Sequence, residues 1–166
     1  MRRLLVSALA ASGAFLARSA AAEPALIGSP GDHPPYHVEL EPHGLIGFGS
    51  LENGALGAGL RATIKLMDPG FVPSINDTVG ISFGGDAFFG SRRGATLYVP
   101  VQVQWNFFFT QHWSMMFEPG IGFAFGDNNR LTPAFSLGGR YHFNERIALT
   151  VRLGYPALSV GVAFFL

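Results

Sequence analysis

The chain has 166 residues, enough for one domain, and its 16 Phe, 22 Gly and 11 Pro with only 13% charged residues favour many short strands over long helices. Three of the eleven basic residues lie in the first 22 positions, so the rest of the chain is weakly acidic and has no basic patch suited to nucleic acid. The absence of cysteine excludes disulfides, thiolate metal sites and a lipid-modified N-terminal cysteine.

Residues 1–22, MRRLLVSALAASGAFLARSAAA, have the three parts of a secretory signal peptide. Arg2 and Arg3 form the positively charged start, 4–17 the apolar core and 20–22 a small-residue cleavage site. No later segment offers about 18 uninterrupted apolar residues, which excludes a helical membrane protein. We therefore expect this segment to direct export across the inner membrane and to be removed.

Residues 23–35, EPALIGSPGDHPP, lack periodicity and are rich in Pro and Gly, which predicts a flexible periplasmic leader. His33, His37 and His43 follow one another at irregular spacing. A metal site is one interpretation, but Pro34-Pro35 between the first two histidines favours solvated or strand-borne side chains. The sequence predicts no metal site and no cofactor.

Apolar and polar residues then alternate in four runs, and this period of two predicts four strands, at about 36–48, 55–67, 78–89 and 96–109. The fourth run is the most regular, because its odd positions from Leu97 to Phe109 are apolar. Turn-forming residues separate the runs and predict connections at 49–54, 68–77 and 90–95.

The second half of the chain repeats this pattern. A fifth strand is predicted at about 113–125, after a short turn at 110–112 and before a polar loop at 126–130. The stretch 131–155 is a hairpin of two alternating runs around the polar turn 142–146, and a last strand spans about 157–166. Both hairpin strands have one apolar face and one small, polar or charged face.

Eight such strands predict an all-β fold, an eight-stranded antiparallel up-and-down transmembrane β-barrel in residues 36–166. A sheet with a lipid-facing side must close, because an open edge would leave backbone groups unpaired in lipid. A soluble lipocalin-like barrel is the alternative, with the apolar face inside and the charges outside. The uncharged, aromatic-rich face favours the membrane version.

The alternation assigns every strand charge to the interior and leaves the outward faces of the predicted strands without charge. A charge on the lipid face costs about 2–4 kcal/mol near the bilayer midplane, so this division is a strong signal. We expect the inward acids and bases to form an ion-pair network that fills the lumen. Its predicted members are Glu39, Glu41, Arg61, Lys65, Asp86, Glu118, Arg140 and Arg152.

Two functional interpretations of these charges are possible. Glu118 or Arg140 could gate a narrow pore, or the network could be a satisfied polar core, which the sequence favours. Glu39 and Glu41 could serve as a general acid and base, but a filled barrel gives them no substrate access.

Aromatic residues cluster around the two shortest turns, 110–112 and 144–145, where an interfacial girdle is expected because Trp and Tyr favour the membrane–water boundary. The predicted girdle consists of Trp105, Phe107, Phe109, Trp113, Tyr141 and Phe143.

The signal peptide, the eight alternating runs, the turn Tyr141–Leu149 and the final VGVAFFL resemble the small OmpA/OmpX-like outer-membrane barrels of bacteria. In that group the barrel-assembly machinery reads a last strand that usually ends in an aromatic residue. The corresponding residues here are Phe164, Phe165 and Leu166, so the chain departs from the pattern at its last position.

The resemblance implies that both termini lie in the periplasm, with connections 68–77, 110–112 and 144–145 on that side. It also implies an outer-membrane location, lipids and the assembly machinery as partners, and a monomer. The expected function is structural, in envelope integrity. The alternatives are a narrow pore or transporter of small hydrophobic molecules, and a lipid-modifying enzyme, for which Ser91, His112 and His142 are scattered candidates.

Overall fold

The computed structural model describes residues 23–48, 54–91, 94–126 and 129–166. Within them the chain forms eight strands and no helix that is long and apolar enough to cross a membrane. The strands are β1 (Val38–Gly47), β2 (Leu56–Met67), β3 (Asp77–Ser91), β4 (Gly94–Phe108), β5 (Trp113–Phe125), β6 (Arg130–Asn144), β7 (Ile147–Tyr155) and β8 (Ala157–Phe165).

Each strand pairs antiparallel with its neighbours in the chain, and β1 pairs with β8 to close the barrel. The closing register sets Leu40 opposite Phe164 and Gly44 opposite Val160. Closure gives every strand two partners and leaves no edge whose backbone groups lack hydrogen bonds. The predicted eight-stranded antiparallel barrel is therefore confirmed.

The strand bounds differ most from the prediction where the turns are tight. β3 runs to Ser91 and β4 begins at Gly94, so most of the predicted loop 90–95 is strand, and residues 92–93 lie outside the described part of the chain. The predicted signal peptide, residues 49–53 of the turn 49–54 and residues 127–128 of the turn 126–130 also lie outside it.

We call the end of the barrel at which β1 begins and β8 ends the terminal end, and the opposite end the distal end. The longest connection between strands in the described residues, 68–76, lies at the terminal end.

The outer wall is apolar. Between the end residues Arg130 and Asn144, the exposed positions of β6 are hydrophobic, as are those of β7, and Leu137 and Leu153 are 54% and 63% exposed. Exposed apolar residues also alternate with buried residues along most of β5, and Ser114 and Glu118 are among the buried ones. So much contiguous apolar surface is unfavourable in water and suits contact with lipid.

Among the described residues that face outward on the strands, Asp77 is charged, because β3 begins one residue earlier than predicted. It shares the outward face with Val79 and accepts a hydrogen bond from Nε1 of Trp105 at 2.7 Å. The expectation that the outward faces carry no charge is therefore wrong at this position. The connection 68–76 covers the carboxylate, which is 1% exposed.

The lumen has three layers. An apolar cluster fills the terminal end, made of Tyr36, Phe108, Ala148, Ala163 and Phe165. A second fills the distal end, made of Leu45, Ala55, Phe88, Tyr98, Ala124 and Ala134. The buried charged residues that face the lumen lie between the two clusters.

The leader at residues 23–35, for which the sequence predicts flexibility, lies across the terminal end. The amide of Leu26 donates to the carbonyl of Phe109 at 2.7 Å, and the amide of Asn76 donates to that of Ile27 at 2.8 Å. The His33 ring stacks on Phe108 with centroids 4.6 Å apart. The leader therefore adds a cover to the apolar layer beneath it.

Candidate functional site: the polar interior

The charged side chains of the interior converge because inward positions recur every second residue on each strand. Glu39, Glu41 and His43 follow one another on β1, and the closed sheet brings β5, β6 and β7 round to face them. The shared buried layer contains Glu39, Glu41, His43, Arg61, Asp86, Glu118, Arg140 and Arg152.

Arg152 on β7 joins carboxylates from two strands. Its Nε donates to Oε2 of Glu118 at 2.7 Å, and its Nη1 donates to Oε1 of Glu41. Its Nη2 lies 3.9 Å from Oε1 of Glu39. Because the guanidinium presents several donors in a fixed plane, one side chain ties β7 to β1 and β5.

Arg140 on β6 holds the part of the network nearer the terminal end. It donates to Glu39 through Nη2 and to Oδ1 of Asn106 through Nη1 at 3.0 Å. Its guanidinium carbon lies 5.5 Å from the centroid of the Phe165 ring. The cation therefore contacts both the charged layer and the apolar cluster below it.

Glu118 on β5 is fully buried and has a partner for each carboxylate oxygen. Besides Arg152 it accepts hydrogen bonds from Ser136 Oγ at 2.6 Å and from Gln104 Nε2 at 3.0 Å. Nη1 of Arg61 lies 3.8 Å away. A buried charge with this many partners is compensated, and removing one partner would be costly.

His43 belongs to this layer, although the sequence interpretation left it out. Its Nε2 lies 2.8 Å from Oδ1 of Asp86, whose other oxygen is 3.4 Å from Nη2 of Arg61. The sequence contained the signal for this position, because His43 is two residues from Glu41 and four from Glu39 and so shares their inward face on β1.

Lys65, a predicted member, lies apart from the network. Its Nζ is 2.6 Å from Oδ2 of Asp68 and 4.8 Å from the centroid of the Tyr36 ring, at the terminal rim. Three arginines and His43 therefore face four carboxylates in the interior.

The interior leaves little free space. Beside His43, Arg61, Asp86 and Arg152 there is a cavity of about 30 Å³, and about one water needs 10–15 Å³ of such space. The described residues offer no partner for Oε2 of Glu39 or Oε2 of Glu41. The arrangement holds charges in place and has room for a water molecule or two, but not for a substrate.

Of the predicted enzyme candidates, the side chains of His112 and His142 are described and do not form a nucleophile–base–acid set, and the side chain of Ser91 lies outside the described part of the chain. Ser114 Oγ lies 2.8 Å from Nε2 of His142, which is the contact of a nucleophile with a base. Nδ1 of His142 has no partner among the described residues, so no acid orients the ring, and both side chains are buried. His112 instead contacts Glu23 at 2.6 Å. The described residues contain no group of three or more His, Asp or Glu that could hold a metal ion.

The predicted girdle residues lie around the terminal end of the outer wall. Trp105 and Phe107 are 4.6 Å apart between ring centroids, and Tyr141 lies 5.0 Å from Trp113 and 5.4 Å from Phe143. Phe109, the sixth predicted residue, is also exposed.

The three residues at the C-terminus divide between the two faces. Phe164 and Leu166 are exposed, whereas Phe165 is buried in the terminal apolar cluster. The carbonyl of Leu166 accepts hydrogen bonds from the amides of His37 and Val38, so the last residue is tied to the first strand.

No protein-family model matches the sequence, and a search of curated proteins finds no match. Solved structures do match, among them the outer membrane protein Ail of Yersinia pestis in a phospholipid bilayer nanodisc, at 12% identity and a TM-score of 0.52. That match covers 80% of this chain and 100% of the Ail chain.

Two designed proteins are similar as well. A de novo designed transmembrane β-barrel matches at 12% identity and a TM-score of 0.58, over 80% of this chain and 97% of the design. The de novo designed TMB2.3 matches at 16% identity and a TM-score of 0.55, over 82% of this chain and 98% of the design. These likenesses show the fold: the chain is an eight-stranded transmembrane β-barrel, as in the small outer-membrane barrels.

Proposed function

We propose that the protein is a structural component of a Gram-negative outer membrane, a barrel with a plugged polar interior that contributes to envelope integrity. The observation that carries this proposal is the pairing of an apolar outer wall with a lumen filled by ion pairs between two apolar layers. Such a molecule occupies the membrane as a rigid, closed unit.

The rest of the assignment follows from this location. Residues 1–22 act as the signal peptide, outer-membrane lipids surround the wall, and Phe164, Phe165 and Leu166 present the assembly signal to the barrel-assembly machinery. The terminal end faces the periplasm, and the protein is a monomer that binds no nucleic acid.

The interior supports this function over a pore or a transporter. A permeating solute would have to displace the terminal cluster around Phe108, the layer held by Arg140 and Arg152, and the distal cluster around Phe88. A path for small hydrophobic molecules would cross the same charged layer. Each displacement would expose buried charges or apolar side chains to unsuitable surroundings.

The sign of a permeability change tests the proposal. Bacteria that lack the protein should take up a large antibiotic or a fluorescent dye faster than the parent, and the intact gene should restore the barrier. If the protein is a pore, its loss would slow uptake of a small solute and leave the barrier to large molecules unchanged, and the proposal would be overturned.

A further inference from the structure

The connection 68–76 between β2 and β3 folds back on the outside of the barrel instead of extending away from its end. The amide of Gly70 donates to the carbonyl of Asp77 at 2.9 Å and to its Oδ1 at 3.1 Å, and the amide of Val72 donates to Oδ2 at 3.3 Å. Val79 faces outward by its parity on β3, yet it is only 3% exposed. A Cβ placed on Gly70 would lie 3.1 Å from Cγ2 of Val79, so the loop covers the wall at that residue.

The loop adds an aromatic residue to the girdle. Phe71 stands edge-on to Trp105 with ring centroids 5.4 Å apart, and Trp105 in turn contacts Phe107. Phe71 is 54% exposed on its outward side. Nε1 of Trp105 donates to the same Asp77 carboxylate that binds the loop backbone, so one buried acid fixes both the loop and the ring beneath it.

We infer that residues 68–76 form a membrane-contact foot, which lies in the headgroup region of the bilayer and inserts Phe71 among the lipids at the terminal end. This inference rests on the proposed function. An exposed Phe packed on an outward Trp is unfavourable in water but favourable at the membrane interface.

Asp77 is compatible with this position because of its hydrogen bonds. A charged residue on the lipid face costs little near the interface and more towards the midplane, and acids cost less than bases. The loop amides and the indole replace the water that the carboxylate would lose to lipid. The loop thus stabilises a charged side chain at an outward position of β3.

The absence of cysteine in the chain allows a direct test. The variant Phe71→Cys is labelled with an environment-sensitive fluorophore, refolded into phospholipid vesicles, and compared with Gln111→Cys, which lies in the short turn at the same end. We expect lipids that carry a spin label near the headgroup to quench most of the emission at position 71, while aqueous iodide quenches most of it at position 111.

The result would overturn the inference if iodide quenched position 71 as strongly as position 111, or if both quenchers failed there because a second protein copy covered it. In the Asp77→Asn background, iodide quenching at position 71 should rise several-fold, because the carboxylate no longer fixes the loop. Unboiled gel mobility of each labelled protein shows whether the barrel has formed. If the unlabelled chain showed no heat-dependent shift in mobility, the barrel would not have formed and the proposed function would be refuted. If the mobility shift were present but iodide quenched position 71 as strongly as position 111, only the membrane-contact foot would be refuted.

Discussion

At the scale of single residues, the interior depends on side chains with several partners each. Glu118 contacts Arg152, Arg61, Ser136 and Gln104, which come from four different strands. A residue of this kind ties the wall together across the lumen, in addition to the backbone pairing of neighbouring strands. Its loss leaves buried cations without compensation.

We expect Glu118→Gln to lower the free energy of unfolding by about 3–5 kcal/mol, since it breaks a buried ion pair. Urea unfolding of the refolded protein in detergent micelles, followed by Trp fluorescence, measures the change. Glu145→Gln in the exposed turn is the control and should stay within about 0.5 kcal/mol of the parent. Equal stability of the two variants would show that the network contributes nothing.

Gly161 on β8 provides a second test of close packing in the lumen. A Cβ at this position would lie 2.7 Å from Cβ of His43 and 2.8 Å from both Oε1 of Glu41 and the carbonyl of Pro42. Gly161→Ala should therefore cost about 1–3 kcal/mol by overpacking. At Gly139 a Cβ would meet nothing within 4 Å, and Gly139→Ala should be neutral in the same urea experiment. If both substitutions were tolerated, the lumen would be looser than described.

At the scale of elements, the leader and the connection 68–76 pack against each other and against the terminal end of the barrel. Tyr36, directly after the leader, lies beneath Lys65 and hydrogen-bonds Thr78 Oγ1 at 2.9 Å, and burial raises its pKa to about 12. The phenol therefore stays a neutral hydrogen-bonding group at physiological pH. Asp68 links the connection to the leader through His33 at 3.2 Å.

Burial raises the pKa of Asp68, but the hydrogen bonds from Lys65 and His33 outweigh burial and lower it below the ordinary value of 3.8. A carboxyl with a lowered pKa in the folded state stabilises the fold above its unfolded pKa and loses that contribution as the pH falls through the folded value. We therefore expect the leader to stay docked down to about pH 4 and to loosen below it.

The NMR signals of the Leu26 amide and the Asn76 side-chain amide report this docking, since both groups hydrogen-bond between the leader and the rest of the chain. Asp68→Asn should remove the acid transition while the strand signals stay unchanged. A transition of the same midpoint in Asp68→Asn would assign the loosening to another group.

The strands and their faces could be predicted from the sequence because a period of two is a local signal. On β4 every second residue from Leu97 to Phe107 is apolar, so the sequence alone indicated which face is towards lipid. The docked leader was not predictable, because Pro-rich segments without periodicity are fixed by tertiary contacts such as that of His33 with Phe108.

The membership of the interior network was predicted only in part for a related reason. Lys65 has the inward parity, but parity does not say how far along the barrel axis a residue lies. Its long side chain reaches Asp68 at the rim, and His43 occupies a place in the layer instead. The charge of Asp77 on the outward face was not predicted either, because this residue lies at a strand boundary, where predictions of strand bounds are least accurate.

At the scale of the whole molecule, the layered lumen predicts an electrically silent protein. The refolded barrel in a planar lipid bilayer should show no stepwise conductance in molar salt, because both ends of the lumen are closed by apolar clusters. Stepwise conductance of the unmodified protein would contradict the closed interior and would support the narrow-pore alternative.

The central claim is that the chain forms a closed β-barrel embedded in a membrane, and gel mobility tests it most directly. The chain without residues 1–22 is refolded into phospholipid vesicles and run in detergent with and without boiling. We predict that the unboiled protein is rich in β-structure, stays with the vesicles and migrates differently from the boiled form, because the hydrogen-bonded barrel resists the detergent until it is heated. Identical mobility before and after boiling, with the protein left in the aqueous fraction, would contradict the account.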